Sequence, residues 1–281
     1  MTLWLFVGCA AQQTESPDYR QRAVQKSDGP ITVSVSALNP VESVEIYGRP
    51  LSALNIQPVW IEVENRDSSP YRFMPLGLDP GYIPYWEAAE AFAVNLSETL
   101  TAAERERFAR LALPRVIPPN ATTAGFVLTN AEEGFKFVHA DFLRSGELRH
   151  VSALVNVPGF RADWEQKRQE REQVWDSVTV TDFGDDRAAF REALESLPCC
   201  VTNKSGKKNG DPLNLVIVGG PDDAFPALAR RGWRATETTW TGSVWKMMGS
   251  ALSGEPYPYA PISPLYLFGR VQDFALQKAR D

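Results

Sequence analysis

The C-terminal stretch GRVQDFALQK carries three side chains whose types could act together on a phosphorylated substrate. Arg270 offers a guanidinium fork for phosphate, Asp273 can act as a base or a metal ligand, and Gln272 can orient a water molecule. Asp211 and Asn214 are the upstream polar residues that a shared pocket would place beside them. In the alternative interpretation, Arg270 and Asp273 lie one turn apart on a helix and form a structural pair. An enzyme needs these side chains gathered in a pocket, whereas a scaffold needs only an Arg270 that is paired on an open surface.

The other residues capable of catalysis or metal binding form no known motif. The chain has two histidines, His139 and His150, and three cysteines, Cys9, Cys199 and Cys200. Their spacing does not match a zinc site, and the sequence contains neither G-x-S-x-G nor G-x-x-x-x-G-K-[ST]. Both histidines fall on one predicted hairpin, where edge-of-core or surface positions are favoured over a catalytic role. The adjacent cysteines can be joined only through an unusual ring, and a structural role is favoured for them. The sequence predicts no cofactor and no metal.

The turn VGGPDD permits two interpretations. A strand followed by glycines and a helix N-terminus can hold a phosphate group on backbone N–H groups. Asp222 and Asp223 stand at that point and would repel an anion, so they are favoured as helix caps. The sequence therefore favours a structural turn over a phosphate site here.

The N-terminal stretch MTLWLFVGCAAQQ indicates a membrane address. Its apolar run is too short to span a bilayer but suits the core of a secretory signal, without the usual cationic start. The run from Phe6 to Cys9 resembles a bacterial lipobox, which predicts that Cys9 is lipidated. The missing cationic start predicts that translation starts upstream of Met1. By the same resemblance, Ala10 favours the outer membrane, with the protein on the periplasmic side of the cell envelope. The alternative is a frayed start with a chance cysteine.

Composition limits the architecture and the partners. A chain of 281 residues favours two domains, and a net charge of −6 with a pI near 5.2 argues against a nucleic-acid partner. We predict four parts: a lipoprotein-type signal remnant and tether (1–30), a β-sandwich domain (31–160), a connector helix (161–176) and an α/β domain (177–281).

The predicted fold class is α+β, with an N-terminal immunoglobulin-like antiparallel β-sandwich followed by a small α/β domain. ITVSVSAL, NIQPVWIEVENR, GFVLTN, FKFVHADFL and LRHVSALVNVP alternate apolar and polar residues as half-buried strands do, and RSGE joins the last two as a hairpin. A helical insert, roughly Tyr85 to Leu113, interrupts the strands, and Thr101 with Glu104 predicts its capping box.

The second half alternates strand and helix around a largely polar connector. PGFRADWEQKRQEREQVWD predicts that connector, and DDRAAFREALESL predicts an amphipathic helix. PLNLVIVGG is a continuous apolar run, as in a strand covered on both faces, and LYLF is expected to pair in the same sheet. Gly269 is expected to end that last strand in a conformation unsuited to a Cβ, before a helix-like tail.

The C-terminal third resembles the C-terminal domain of LssY-type proteins, a bacterial family named after a gene of a type I secretion locus. The resemblance covers about residues 177–281 and is carried in order by LPCCVTNKSGKKNGDPLNLVIVG, RRGW and PISPLYLFGRVQDFALQK. QPVWIEVENRDSSPYRFMPLGLDP and TAGFVLTN resemble the sandwich that precedes this domain in its lipoprotein-type members. The family pattern continues past GR-x-QD with arginine, histidine and tryptophan, so the resemblance predicts a truncated tail. Some relatives fuse the domain to membrane phosphatases whose residues are not in this sequence, so the resemblance implies location and architecture rather than a reaction.

Two functions are consistent with these patterns. The first is a membrane-anchored envelope lipoprotein that acts as a binding or assembly module, with an envelope protein or a lipid as partner. The second is a hydrolase or transferase that acts on a phosphorylated or lipid substrate through the residues around Arg270.

Overall fold

The computed structural model describes residues 18–75, 81–159, 181–219, 224, 227–228, 231–236, 259–272 and 275–278. Cys9, Asp273 and the connector predicted for residues 161–176 lie outside these ranges. None of the helices in the described ranges combines the length and the apolar character that crossing a bilayer requires.

The N-terminal part is a sandwich of two four-stranded antiparallel sheets. The first sheet has the order β1-β2-β3-β6, formed by Val24–Asp28, Ile31–Ala37, Ile56–Asn65 and Ala121–Asn130. The second has the order β5-β4-β7-β8, formed by Val116–Ile117, Tyr71–Met74, Phe135–Arg144 and Glu147–Asn156. Strands β2, β3 and β6 with strands β4, β7 and β8 follow the strand order of an immunoglobulin-like sandwich, which confirms the predicted fold class.

The alternating apolar residues meet between the two sheets. Val33 of β2, Val63 of β3 and Phe142 of β7 belong to this core, and each is almost completely buried. Burial of a side chain of this size contributes about 1.5–3 kcal/mol. Strand β1 falls in the segment predicted as a tether and is ordered by its register with β2 across the turn at Gly29. The sandwich therefore begins earlier in the chain than its alternation alone indicates.

A helical layer covers the outer face of the first sheet. It consists of α1 (Pro40–Tyr47), a 3₁₀ turn (Leu51–Leu54), α2 (Tyr85–Leu96) and α3 (Ala102–Leu111). Trp60 and Phe126 project from the sheet into a second apolar core, where they meet helical side chains such as Phe92 and Phe108. Thr101 caps α3, with Glu104 reaching back to the Thr101 backbone, so the predicted insert and its capping box are confirmed.

In the described ranges, the C-terminal part combines helical segments with two small antiparallel sheets. Helix α4 comprises Arg187–Glu195, and residues 224, 227 and 228 are also helical. One sheet has the order β10-β9-β12-β13 and the other pairs β11 with β14; the strands are Cys200–Thr202 (β9), Asn209–Pro212 (β10), Arg234–Ala235 (β11), Tyr266–Leu267 (β12), Arg270–Val271 (β13) and Leu276–Gln277 (β14). A disulfide joins Cys199, which directly precedes β9, to Cys200, the first residue of β9.

Two local predictions for this part are wrong. Residues 213–218 form no strand, and Leu215 and Val218 are 76% and 67% exposed rather than covered on both faces. The LYLF segment instead contributes β12, which pairs with β9 and β13. Proline has no N–H to donate, so β10 ends where Pro212 closes its pairing with β9, and the apolar run that follows has left the sheet.

A buried ionic cluster joins the two parts of the molecule. Glu132, at the end of the sandwich, lies 2.8 Å from the Arg234 guanidinium and 3.6 Å from the ammonium of Lys136, whose side chain is fully buried. Next to it, the backbone N–H of Glu133 donates to the Tyr259 hydroxyl at 3.0 Å. These contacts hold the C-terminal part against the rim of the sandwich.

Candidate functional site

The residues predicted around Arg270 lie on a hairpin rather than on a helix. Phe268 and Gly269, with φ values of 51° and 77°, form the two-residue turn between β12 and β13. Two successive left-handed residues match the twist of a tight hairpin, so the chain reverses at once and continues as a strand. The expectation that Gly269 adopts a conformation unsuited to a Cβ is confirmed, whereas the helix predicted after it is wrong.

Gln272 closes this hairpin. Its backbone N–H donates to the Leu265 carbonyl at 2.8 Å, and its side-chain Oε1 accepts from the Leu265 N–H at 2.6 Å. These two bonds extend the ladder by one residue pair and occupy the side-chain oxygen. The arrangement gives Gln272 a structural task and takes that oxygen away from the water-orienting role that its residue type permits.

The sheet separates the remaining polar candidates. Asp211 lies on β10 and Arg270 on β13, at opposite edges of the order β10-β9-β12-β13. At about 4.8 Å between neighbouring strands, the two edges are roughly 14 Å apart. Asn214 is exposed beyond the end of β10, and Asp273 lies outside the described residues. Arg270 and Gln272 do line a cavity of about 370 Å³, whose other lining residues are mainly apolar, among them Val201, Leu213 and Phe268.

The two histidines come together on the outer face of the β7–β8 hairpin. His139 bonds through Nδ1 to the Ser152 hydroxyl at 2.7 Å and through Nε2 to an Asp141 oxygen at 3.1 Å. The His150 ring stacks on the His139 ring at 5.7 Å between centroids. The residue types are those of a serine-hydrolase triad, and the cross-strand pairs His139–Ser152 and Asp141–His150 account for their proximity.

The two strands that carry this histidine cluster do not supply the other half of a hydrolytic site. Backbone N–H groups of a strand lie in the plane of the sheet, whereas its side chains project from the face. An oxygen placed above Ser152 therefore meets no backbone donor of β7 or β8, and stabilisation of that oxygen is the larger part of acyl-transfer catalysis. Among the described residues, no group of three or more histidine, cysteine or acidic side chains is arranged to hold a metal ion. The cluster is a hydrogen-bonded surface network, in line with the surface position favoured by the sequence.

A recess formed by described residues lies between the helical insert and the sandwich. It consists of two adjoining cavities of about 430 and 320 Å³ that share Phe73, Pro75, Tyr82 and Arg115. We call this recess the insert groove. Its other lining residues are Arg72, Met74, Pro84, Tyr85, Trp86, Ala109, Arg110, Ala112, Leu113, Pro114, Phe126 and Val127.

The groove exists because both ends of the insert bind the free edge of β6. The Ile83 N–H donates to the Leu128 carbonyl at 2.8 Å, and the Leu113 N–H donates to the Phe126 carbonyl at 2.9 Å. β6 is an edge strand of its sheet, so these bonds cover backbone groups that would otherwise be unpaired. Gly125 permits the approach, because a Cβ there would lie 2.5 Å from the Leu113 Cα.

Aromatic and cationic side chains give the groove its character. Tyr85 and Trp86 pack edge to face at 5.0 Å between ring centroids, and Trp86 remains 52% exposed. Burial raises the pKa of Tyr82, and the hydrogen-bonded Arg115 guanidinium opposes that rise. The Tyr82 hydroxyl is therefore neutral at physiological pH and helps to hold Arg115 in place. An apolar wall with a fixed guanidinium at its rim suits a ligand that has both an apolar and an anionic part.

No sequence motif marks these residues, because YIPYW leads into α2 and ARLALPR ends α3, so most of two helices lies between the two segments. The only local signal is three aromatic residues within Tyr82 to Trp86, at the point where the strand pattern stops. An aromatic run at the entrance to a polar insert is unusual enough to mark a surface of interest.

Comparison with known families identifies the C-terminal part. Residues 191–281 match the model of the family described as LssY C-terminus. The match spans most of α4 and continues through both small sheets, and it confirms the family predicted from the sequence. A comparison of the chain with curated proteins gave no match.

Proposed function

We propose that this chain, which carries an LssY C-terminus domain at residues 191–281, is a membrane-anchored lipoprotein of the bacterial cell envelope that acts as a binding module. The insert groove is the observation that carries the binding function. Its two cavities fall in the range of about 300–1,000 Å³ that small-ligand sites occupy. Its aromatic lining supports a lipid-like or aromatic partner.

The alternative, a hydrolase or transferase that acts on a phosphorylated or lipid substrate, has less support. Its candidate residues include Arg270 with Asp211 or Asn214, and the four-stranded sheet holds Arg270 and Asp211 at opposite edges. The cavity beside Arg270 is lined mainly by apolar side chains, which suit contact with an apolar surface better than with a phosphate group.

The binding function is tested with N-phenyl-1-naphthylamine, an uncharged dye whose fluorescence rises in apolar surroundings. We expect saturable binding to the full chain that weakens at least tenfold in Trp86→Ala and is unchanged in Arg270→Ala. Circular dichroism controls for folding of each variant. Dye affinity that is unchanged in Trp86→Ala would show that the groove is not the binding site.

The enzymatic alternative is tested in parallel with p-nitrophenyl phosphate and p-nitrophenyl butyrate. Sustained turnover that disappears in Arg270→Ala, with the melting temperature unchanged, would replace the binding function by the enzymatic one. Location is tested with labelled palmitate in cells that express the complete reading frame. We expect a labelled membrane band that Cys9→Ser abolishes, and an unlabelled soluble product from the intact gene would contradict the anchor.

A further inference from the structure

We propose that the insert groove selects a small free acid, with an anionic head bound by Arg110 and Arg115 and an apolar or aromatic body held against Tyr85 and Trp86. This inference rests on the proposed binding function and adds the chemical class of the ligand.

The lining of the insert groove is positively charged. Arg72, Arg110 and Arg115 all face the groove, and no aspartate or glutamate stands among its described lining residues. The chain as a whole is acidic, with 35 acidic against 29 basic residues, so such a cationic surface runs against the overall balance. A site that collects positive charge on an acidic protein attracts anions selectively.

In the described ranges, several other arginines of the sandwich and its helices are paired with carboxylates, unlike Arg110 and Arg115. Arg22, Arg49 and Arg105 each form an ion pair with a glutamate, at 2.6, 2.7 and 3.1 Å. Arg144 and Arg149 likewise contact carboxylates. Arg110 and Arg115 form no such pair with any residue in the described ranges. Their guanidinium groups are therefore available for an external carboxylate, phosphate or sulfonate.

Arg110 and Arg115 are preorganised for an anion by the backbone that carries them. Ala112 and Leu113, which connect α3 to Arg115, are fixed against β6, and Arg115 and Tyr82 line the same cavities. Arg110 lies in the last turn of α3. Because the two guanidinium groups are mounted on ordered backbone, an anion meets donors that need little rearrangement, which raises affinity for a given set of contacts.

The aromatic side chains of the groove provide a surface for the apolar half of the ligand. Phe73 and Phe126 form the floor of the groove and are almost completely buried, whereas Trp86 stands exposed at its wall. An exposed indole and a guanidinium offer flat faces on which an aromatic ring or an acyl chain can lie. The volume matches one small molecule and is too small for a folded domain or a helix of a partner protein.

The experiment compares two dyes that share one aromatic body. 1-Anilinonaphthalene-8-sulfonate carries a sulfonate, and N-phenyl-1-naphthylamine does not. We expect the full chain to bind the sulfonate at least tenfold more tightly, and the double variant Arg110→Gln/Arg115→Gln to abolish that preference while keeping the affinity for the neutral dye. Arg107→Gln, which removes one positive charge from α3 outside the groove, should leave both affinities unchanged.

The outcomes separate this inference from the proposed function. Equal affinity for the two dyes, with both sensitive to Trp86→Ala, would overturn acid selection and leave the binding function standing. If Trp86→Ala weakens the binding of neither dye, the acid selection and the proposed binding function are both wrong. Displacement of the sulfonate dye by decanoate below its micelle-forming concentration supports a free acid. Displacement by phosphatidylglycerol vesicles without displacement by decanoate would assign the groove to lipid headgroups and contradict the free acid.

Discussion

Replacement of Gly125 by alanine is the sharpest test of how the insert groove is built. The new Cβ would stand 2.5 Å from the Leu113 Cα, 2.6 Å from the Leu113 nitrogen and 2.9 Å from the Ala112 carbonyl carbon. Carbon atoms in contact sit at about 3.5–4.0 Å, so the segment from Ala112 to Leu113 must move outward by roughly 1 Å. All three contacts are with backbone, so no side-chain rotation relieves the clash.

The energetic cost follows from what that shift disturbs. Overpacking costs about 1–3 kcal/mol, and weakening the Leu113-to-Phe126 hydrogen bond costs about 1 kcal/mol more. Alanine returns about 0.4–1 kcal/mol by restricting the unfolded chain. We expect the free energy of unfolding to fall by about 1–3 kcal/mol, and binding of the neutral dye to weaken because Leu113 lines the groove.

Urea denaturation measures the stability change, and hydrogen exchange at the Leu113 amide measures the local one. Gly219→Ala is the matched control, because nothing lies within 4 Å of a Cβ built there and its φ is not in the left-handed region. An unchanged unfolding midpoint together with unchanged Leu113 exchange in Gly125→Ala would refute the close approach on which this description of the groove depends.

Three further predictions concern other parts of the molecule. Glu132→Gln should lower the free energy of unfolding by about 3–5 kcal/mol in urea titrations, because it removes a carboxylate that lies 3.6 Å from the fully buried Lys136 ammonium. Gly269→Ala should lower the melting temperature of the C-terminal part by an amount equivalent to about 1–2 kcal/mol, since φ is +77° there, and Gly269→Asn should cost less. The Arg49 guanidinium, with the Thr101 backbone N–H, lowers the pKa of Glu104 from 4.5 to about 2. The Glu104 contribution to stability is thus complete above about pH 4.5 and lost as the pH falls towards 2, and NMR titration of its carboxylate, with Arg49→Gln as control, measures the midpoint.

Each of these has a contradicting result. If Glu132→Gln is neutral, or if Lys136→Met fails to reduce its cost in the double variant, the buried pair is not coupled as described. Equal melting temperatures for Gly269→Ala and wild type would rule out the left-handed turn. A Glu104 midpoint near 4.5 that Arg49→Gln does not move would contradict the contact between the two side chains.

The sequence alone determined the parts of the fold that depend on local pattern. Alternation in ITVSVSAL and NIQPVWIEVENR specified which residues of β2 and β3 face the core between the two sheets, since successive strand residues point to opposite faces. Thr101 and Glu104 marked the start of α3, because a capping box involves only four consecutive positions. The ordered C-terminal blocks identified the LssY C-terminus family, confirmed over residues 191–281.

Tertiary structure decided what depends on pairing between distant segments. Local pattern could not distinguish a helix from a hairpin after Gly269, because Arg270 acquires its strand conformation only by pairing with Leu267. The separation of Arg270 from Asp211 follows from strand order, which no residue spacing contains. The insert groove arises only because Ile83 and Leu113, far apart in sequence, both bind the free edge of β6 and so bring aromatic residues and arginines to one recess. Local propensity is encoded residue by residue, whereas such a recess is a property of the assembled edge.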